Sequence, residues 1–480
     1  MENDGGILLG EGKGKLTTID AIGQSMAAGP VFSTAIIGAF MYSFCPGASP
    51  ATMILTTIGI LGLGLVIAGF AKKFSGAGAL YEYLAHSIGK RAGVMGAGAY
   101  WLAYTAFGVS IPIIAGCVTA PFCAAHLGFN PPWWACTLVI TAIIAALNLI
   151  GVRISVKTQL SVLSLSLIPF AILCIVVIAK GGATGNTFAV FNPGHVEAGG
   201  SVFKGMLFAI LMFVGFELSA SLGEETAEPK KSIPRAVIAT VLIVGVVYTV
   251  TQYVGSIGSG GPNKVPFDFG VMAQVYVGNW LSILINLGII FDIIGIGIGF
   301  FSGCSRVGFA LARDGMLPAP LAKVSKRRVP AVSLWVTIAL TVLGTVITGL
   351  AFHWDNGMNS SIGLINAAWG YEVLSAMGTI IVALVYATLC IAGFFMFIKD
   401  KMWLTVLGAV LGFAVAVGAV TAQFLPGLAP SGTAAVGRTM GIIGVGVVIV
   451  WIIYHVVRNP DRVEAAGEHA LKHEMTEVNL

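Results

Sequence analysis

Charged side chains are scarce in this sequence. Of 480 residues, 26 are Lys or Arg and 21 are Asp or Glu, so that 10% of the chain is charged and 57% is hydrophobic. A soluble domain needs about a quarter of charged residues to cover its surface. The composition therefore excludes a soluble globular protein, and the mean hydropathy of +0.92 indicates a chain that crosses a membrane many times.

Sequence motifs typical of disulfide frameworks, metal sites and catalytic sites are also missing. The seven cysteines form no Cys-x-x-Cys pair and fall mostly in apolar runs, so we interpret them as core residues rather than as disulfides or metal ligands. No Ser–His–Asp set, phosphate-binding loop or metal motif stands out, so we expect neither an enzyme nor a cofactor. The formal net charge of +5 is dispersed over short segments, which argues against a nucleic-acid partner. The charged start of the chain does not fit a cleaved signal peptide.

Long apolar runs dominate what is present. A membrane span takes about 20 apolar residues, and continuous runs favour helices over the alternating pattern of a membrane barrel. We therefore predict an all-α integral membrane protein with about twelve transmembrane helices. The predicted spans are 18–44, 50–70, 91–125, 133–150, 158–180, 200–222, 234–257, 279–303, 331–352, 370–397, 402–425 and 434–457.

Lys and Arg are distributed unevenly between the two sides that this count defines. One side carries only Lys180, Lys204, Lys264 and Arg438, which leaves 22 of the 26 basic residues for the other side. Cytoplasmic loops carry an excess of Lys and Arg. We therefore predict a multi-pass protein of the plasma (inner) membrane, with both termini in the cytoplasm.

Two of the spans contain residues that interrupt a helix. In the first span, three small residues at 27–29 precede Pro30, which removes a backbone donor. In the sixth span, Gly215 lies beside Glu217 near mid-membrane depth, where a carboxylate costs on the order of 3 kcal/mol or more. We expect both helices to be discontinuous, with freed backbone groups lining a cavity. A proline kink between small packing residues is the alternative for the first span.

Three stretches carry a resemblance to a known family. They are MAAGPVF in the first span, GFELSASLGEETAEPKKSIPRAV at 215–237, and SRVGFALARDGMLPAPLAKVSKRRVPAVS at 305–333. With the helix count, they make the chain resemble the amino acid permeases of the amino acid–polyamine–organocation (APC) superfamily. The resemblance implies a 5+5 inverted repeat (LeuT-like) with discontinuous helices 1 and 6, plus two peripheral helices. The implied parts are an N-terminal tail (1–17), two repeats (18–180 and 200–397), the peripheral helices (402–457) and a C-terminal tail (458–480).

The resemblance also implies a substrate site at the two interruptions. Backbone amides of the first span would bind a carboxylate, and carbonyls of the sixth span an ammonium group. Phe213 and Phe216 would form an aromatic gate, with core packing as the alternative. The predicted substrate-binding residues are Met26, Ala27, Ala28, Gly29, Pro30, Tyr104, Phe213, Val214, Gly215, Phe216 and Glu217.

Three residues are candidates for ion coupling. Glu217, in a site that must lose water when it closes, is expected to exchange a proton near neutral pH. Asp292 lies in the middle of the eighth span, where a packing role is the alternative. Ser166 stands near the place where some proton-coupled relatives have a lysine, so coupling to protons or to sodium stays open. Glu372, near the expected start of the tenth span, is interpreted as a complement to the helix dipole.

Taken with the resemblance, these residues predict an importer of a small amino acid or related amine, coupled to H⁺ or Na⁺. A polyamine or amine carrier and an amino acid antiporter are alternatives within the class. A channel or a non-transporting receptor is the alternative outside it, against which the two interruptions argue. The expected partners are the small-molecule substrate, the coupling ion and the lipid bilayer. The basic loop 313–328 is expected to be solvated and to supply partners for Glu224, Glu225 or Glu228 as an inner gate.

Overall fold

A computed structural model describes residues 16–26, 29–74, 80–196, 200–260, 265–359, 364–425 and 433–458. Within these ranges, twelve helices are long and apolar enough to cross a membrane. They are α1 (Thr18–Phe44), α2 (Ser49–Ala71), α3 (Lys90–His126), α4 (Trp133–Ile150), α5 (Val152–Lys180), α6 (Val202–Glu225), α7 (Pro229–Gly258), α8 (Asn279–Arg313), α9 (Ala331–Phe352), α10 (Ala368–Lys399), α11 (Trp403–Ala422) and α12 (Thr433–Arg458). This order confirms the predicted fold class.

Short elements join some of the spans. A helix at Leu80–Ile88 precedes α3, and one at Phe269–Tyr276 precedes α8. Two 3₁₀ turns lie at Ala189–Phe191 and Ala319–Ala322. Strands β1 (Met358–Asn359) and β2 (Leu364–Ile365) pair antiparallel between α9 and α10, with Met358 opposite Ile365.

The packing of the spans follows the expected repeat. α5 packs on α8, and α10 packs on α3. These two contacts correspond, because adding or subtracting five helices turns α5 into α10 and α8 into α3. α2 packs on α7, its own counterpart in the second repeat. A short helix before both α3 and α8 adds a second correspondence. The structure thus has the 5+5 arrangement, whereas the residue bounds assigned to the two repeats stay a prediction.

Burial places α6 at the centre of the bundle. Its most apolar stretch is 100% buried, against 17% for that of α12. Large apolar side chains such as Ile175, Val246 and Leu350 are exposed on the outer faces of their helices. In water this exposure would be costly, so these faces fit a hydrocarbon environment.

The end of α8 differs from its prediction. The helix reaches Arg313, ten residues past the predicted end at 303. Arg306 and Arg313, assigned to a loop from their charge, instead lie in the last turns of α8. Arg306 is buried and pairs with Glu225, whereas Arg313 is partly buried and pairs with Glu224.

Candidate substrate and coupling site

The backbone of α6 turns sharply at Gly215. Val214 has φ −55° and ψ 127°, Gly215 has φ 110°, and the N–H of Phe216 donates to the carbonyl of Phe213 at 3.1 Å. These values define a type II β-turn, which requires a positive φ at its third residue, where glycine has no steric cost. α6 resumes as a 3₁₀ helix at Leu218–Glu225. The prediction that α6 is discontinuous is confirmed.

The interruption of α1 lies at Gly29. This residue has φ 58° and ψ 71°, and Pro30 occupies the first position of the second arm. A Cβ at Gly29 would lie 2.0 Å from Cδ1 of Ile296 in α8. Both the backbone conformation and the close approach of α8 therefore call for glycine. Ala27 and Ala28 of the predicted site lie outside the described residues.

The arms of the two interrupted helices pack crosswise. The first arm of α1 (Thr18–Ser25) packs on the second arm of α6, and the part of α1 after its interruption packs on the first arm of α6 (Val202–Phe213). The interruptions therefore lie at the same level of the bundle. Met26, whose carbonyl accepts the N–H of Gly29 at 2.9 Å, ends the first arm at this level.

Glu217 is held by two tyrosines at this level. Its Oε1 accepts hydrogen bonds from the hydroxyls of Tyr104 in α3 and Tyr386 in α10. The side chain is fully buried, and Oε2 accepts no hydrogen bond from the part of the chain that the structure describes. One oxygen is thus fixed by the protein, and the other is available to a proton or to a ligand.

Aromatic rings surround this carboxylate. Tyr104 lies 4.2 Å from Tyr100 and 5.4 Å from Phe300, measured between ring centroids. Phe216 lies 6.2 Å from Tyr386. Tyr386 and Phe300 were not predicted as site residues, because an aromatic residue within an apolar run carries no distinguishing mark.

The two aromatic gate candidates occupy different surroundings. Phe216 packs beside Tyr386, which is a partner of Glu217. Phe213 instead meets Tyr248 of α7 edge-on at 5.2 Å, and the hydroxyl of Tyr248 donates to the carbonyl of Met212 at 2.6 Å. The structure therefore brings Phe216 to the acid and fastens Phe213 to α7.

Asp292 caps the second arm of α1. Its Oδ2 accepts the backbone N–H groups of Val31 at 3.0 Å and Phe32 at 2.8 Å, and its side chain is buried. The first N–H groups of a helix have no partner within the helix, and a carboxylate is a strong acceptor for them. Here that acceptor comes from α8. Asp292 thus occupies amides that would otherwise be available to a substrate carboxylate, and it joins α1 to α8.

Ser166 belongs to a different contact. Its hydroxyl donates to the carbonyl of Val162 in its own helix at 2.8 Å. Its Cα lies 3.5 Å from the position that a Cβ on Gly288 would take, so it packs against α8 one turn before Asp292. Two of the three predicted coupling residues, Ser166 and Asp292, therefore lie along α8. The third, Glu217, lies at the α6 interruption.

Ion pairs close the Lys/Arg-rich end of the bundle. Arg306 pairs with Glu225 at 2.8 Å, with both side chains buried, and Arg313 pairs with Glu224 at 3.0 Å. The N–H of Leu16 donates to the carbonyl of Glu225 at 2.8 Å, which ties the segment before α1 to the exit of α6. Of the pairs predicted between residues 313–328 and Glu224, Glu225 or Glu228, the one between Arg313 and Glu224 is found. Glu228 instead pairs with Lys231 on its own helix, at 3.0 Å.

Aromatic stacking closes the opposite end. Phe40 and Phe44 of α1 stack on Phe208 of α6, with centroid distances of 6.0 Å and 5.1 Å. The N–H of Ser201 donates to the carbonyl of Phe44 at 2.9 Å. The level of the two interruptions is therefore covered from both ends.

Curated relatives match parts of this chain. One is the branched-chain amino acid permease BcaP of Bacillus subtilis, 29% identical over 28% of this chain and 30% of the relative. Another is an aspartate-proton symporter of the same organism, 31% identical over 33% of this chain and 32% of the relative. An arginine/ornithine antiporter of Pseudomonas aeruginosa is 24% identical over 59% of this chain and 60% of the relative. The chain thus spans about a third to three fifths of these relatives.

The fold and the family extend further than these alignments. A crystal structure of a manganese transporter of Eremococcus coleocola superposes with a TM-score of 0.54 and 12% identity, over 94% of this chain and 95% of that chain. At that identity the likeness concerns the fold alone. The family model described as amino acid permease matches residues 16–457. Since that match reaches into every span and contains both interrupted helices, the chain belongs to the amino acid permease family.

Proposed function

We propose that this protein is a secondary active transporter that imports a small amino acid or a related amine by alternating access, coupled to an ion. The observation that carries the proposal is the pair of interruptions in α1 and α6, whose arms pack crosswise around the buried Glu217. One oxygen of this carboxylate accepts no hydrogen bond from the described residues. Interrupted helices at corresponding places in two halves expose backbone groups for a substrate in the middle of a membrane protein. The family membership supports the same conclusion.

The substrate's ammonium group would bind at the α6 interruption. The ψ of 127° at Val214 turns its carbonyl out of the helix. Oε2 of Glu217, three residues later, is a second acceptor, with no hydrogen-bond partner among the described residues. The substrate carboxylate would lie at residues 26–29 of α1, because Asp292 already occupies the amides of Val31 and Phe32. Phe216 would cover the bound substrate.

Coupling is proposed to act through Glu217. Both tyrosine hydroxyls bond to Oε1, so Oε2 is the atom at which a proton can bind or leave. Asp292 is the second candidate, since a proton there weakens the carboxylate cap that joins α8 to α1. Uptake under an imposed pH gradient or an imposed Na⁺ gradient distinguishes coupling to H⁺ from coupling to Na⁺.

Exchange is the second candidate function. The arginine/ornithine antiporter of Pseudomonas aeruginosa is similar over 59% of this chain. A cationic substrate would place its side-chain charge near Glu217. In an exchanger, uptake depends on substrate inside the vesicle and not on an ion gradient.

Orientation is proposed from charge. The end of the bundle closed by Arg306 and Arg313 holds most of the Lys and Arg residues, so it faces the cytoplasm and both termini lie there. The membrane proposed is the plasma (inner) membrane. The ion pairs then form the inner gate.

The test begins with the purified protein. A thermal-shift screen against amino acids, amines and polyamines identifies a ligand, which is then used labelled in proteoliposomes with an imposed pH or Na⁺ gradient. We expect uptake against a gradient by the wild type. In Glu217→Gln, exchange of labelled substrate persists while the response to an inward H⁺ gradient is lost. If the Gln variant still concentrates substrate in response to pH, Asp292 becomes the coupling residue. If only Na⁺ drives uptake, proton coupling is wrong.

A further inference from the structure

A groove on the outer face of the bundle lies apart from the candidate substrate site. It is a cavity of about 660 Å³ between α2, α7 and α11. Leu65, Ile238 and Leu242 are among the apolar residues that line it. Leu242 is 49% exposed, and Leu404, also in the lining, is 67% exposed. The groove therefore opens onto a surface that faces lipid.

One end of the groove carries two positive charges. Lys72, at the C-terminal end of α2, and Arg235, in the second turn of α7, both line it and are both exposed. Neither forms an ion pair with another residue that the structure describes. By contrast, the neighbouring Lys73 is paired with Asp400 at 2.6 Å. The charges of Lys72 and Arg235 are thus available to an anion.

The same end contains the start of α11. Its first turn, Trp403 to Thr405, lines the groove. No side chain in the described part of the chain caps this terminus. Uncapped amides at a helix N-terminus favour a nearby negative charge and so add to the two basic side chains. Trp403 is 65% exposed, as is common for tryptophans at a membrane interface. Basic side chains beside an exposed tryptophan are typical of the level of lipid head groups.

We propose that this groove binds an anionic phospholipid of the cytoplasmic leaflet. The head-group phosphate lies between Lys72, Arg235 and the first turn of α11, and an acyl chain lies along Leu65, Ile238 and Leu242. Basic pockets between transmembrane helices on the cytoplasmic side select anionic head groups. A zwitterionic lipid would fill the same apolar groove, but with no net charge it gains less from the two cations. α7, which lines the groove, follows directly on α6. Lipid bound there therefore contacts the helix next to the interrupted one.

The experiment measures quenching of Trp403 fluorescence by brominated lipids in the purified full chain. Brominated phosphatidylglycerol is titrated against brominated phosphatidylcholine in detergent, and the Trp403→Phe variant identifies the signal from the groove. We expect tighter binding of phosphatidylglycerol by the wild type. The double variant Lys72→Gln/Arg235→Gln should bind phosphatidylglycerol about fivefold more weakly for each charge removed. Its preference for phosphatidylglycerol over phosphatidylcholine should then disappear.

A matched control removes two exposed charges from the same end of the bundle. Lys323→Gln/Lys326→Gln should keep the preference, and melting curves should show all variants folded. The proposal is overturned if wild-type protein binds the two lipids equally or if both double variants lose the preference alike. It is also overturned if inorganic phosphate alone displaces the brominated lipid at equal concentration. A third contrary result is quenching of Trp403 only in samples that size measurements show to be monomeric, because a second copy of the chain would then cover the groove.

Discussion

Among the residues that the structure describes, Glu217 accepts hydrogen bonds at only one of its two carboxylate oxygens. A hydrogen bond to a charged group contributes about 1.5–3 kcal/mol, and a buried oxygen without a partner loses a comparable amount. The two tyrosine hydroxyls therefore stabilise the buried carboxylate at Oε1, while Oε2 remains a site of unmet bonding capacity. At the residue scale, this asymmetry is what distinguishes Glu217 from an acid that serves packing alone.

Tyr386 can be tested against a matched neighbour. Tyr386→Phe removes one of the two donors to Glu217, so we expect uptake to fall by about tenfold while the melting temperature changes by only a few degrees. Tyr100→Phe is the control, because the hydroxyl of Tyr100 is buried without a hydrogen-bond partner among the described residues. It should transport almost as well as the wild type. Equal losses in the two variants would show that the hydroxyl bond to Glu217 has no special role.

At the element scale, α1 depends on α8 for its capping. Asp292 is 260 residues from Phe32 in sequence, yet it supplies the acceptor that a local side chain supplies in an ordinary helix. Ile296, one turn later, packs against Gly29. If α1 moves during transport, either its contact with α8 breaks or α8 moves together with it. α8 is therefore the partner against which α1 is positioned.

Two substitutions at Asp292 separate capping from charge. Asp292→Ala leaves two buried N–H groups without acceptors, which should lower the free energy of unfolding by about 2 kcal/mol or more. Asp292→Asn keeps an acceptor oxygen, and Asn caps helices almost as well as Asp, so its loss should be clearly smaller. Thermal unfolding in detergent measures both. If the two variants are equally destabilised, the negative charge and not the cap holds α1.

The helices could be predicted from the sequence much better than their partners. Apolar runs of about 20 residues are set by bilayer thickness, so every predicted span overlaps its helix. The end of α8 was missed because Arg306 looked like a loop residue, and its burial depends on Glu225, which is 81 residues away. The interruption at Gly215 could be predicted, but Tyr386 could not, since its role depends on how α10 packs.

The whole molecule is closed in two different ways. Two ion pairs, one buried and one partly buried, hold the Lys/Arg-rich end, whereas stacked aromatic rings hold the opposite end. Breaking an ion pair requires water to enter and solvate both charges. Separating stacked aromatic rings leaves no charge unpaired, so it requires no such solvation. The family is one of transporters and not of enzymes, in agreement with the expectation from the missing catalytic motifs. In the proposed alternating access, the two closures would be the gates that open in turn.

Membrane orientation can be tested with single cysteines. All seven native cysteines are buried, so an engineered thiol at an exposed position gives a clear signal. Lys326→Cys lies between α8 and α9, and Phe188→Cys lies between α5 and α6. In intact cells, an impermeant reagent should modify the cysteine at 188 at once and the one at 326 only after the membrane is opened. Modification of both from the same side would contradict the twelve-span topology.

We propose that an amino acid or amine binds where α1 and α6 are interrupted and is carried across the membrane by alternating access. Counterflow tests it most directly: proteoliposomes loaded with unlabelled ligand take up the labelled ligand. We expect saturable counterflow by the wild type and its loss in Gly215→Ala, because a Cβ at φ 110° disrupts the turn at a cost of about 1–3 kcal/mol. Gly64→Ala in α2, where the added carbon would lie 3.5 Å from Ile238, should keep counterflow. Absence of counterflow by the wild type with every ligand that stabilises it, or undiminished counterflow by Gly215→Ala, would contradict this account.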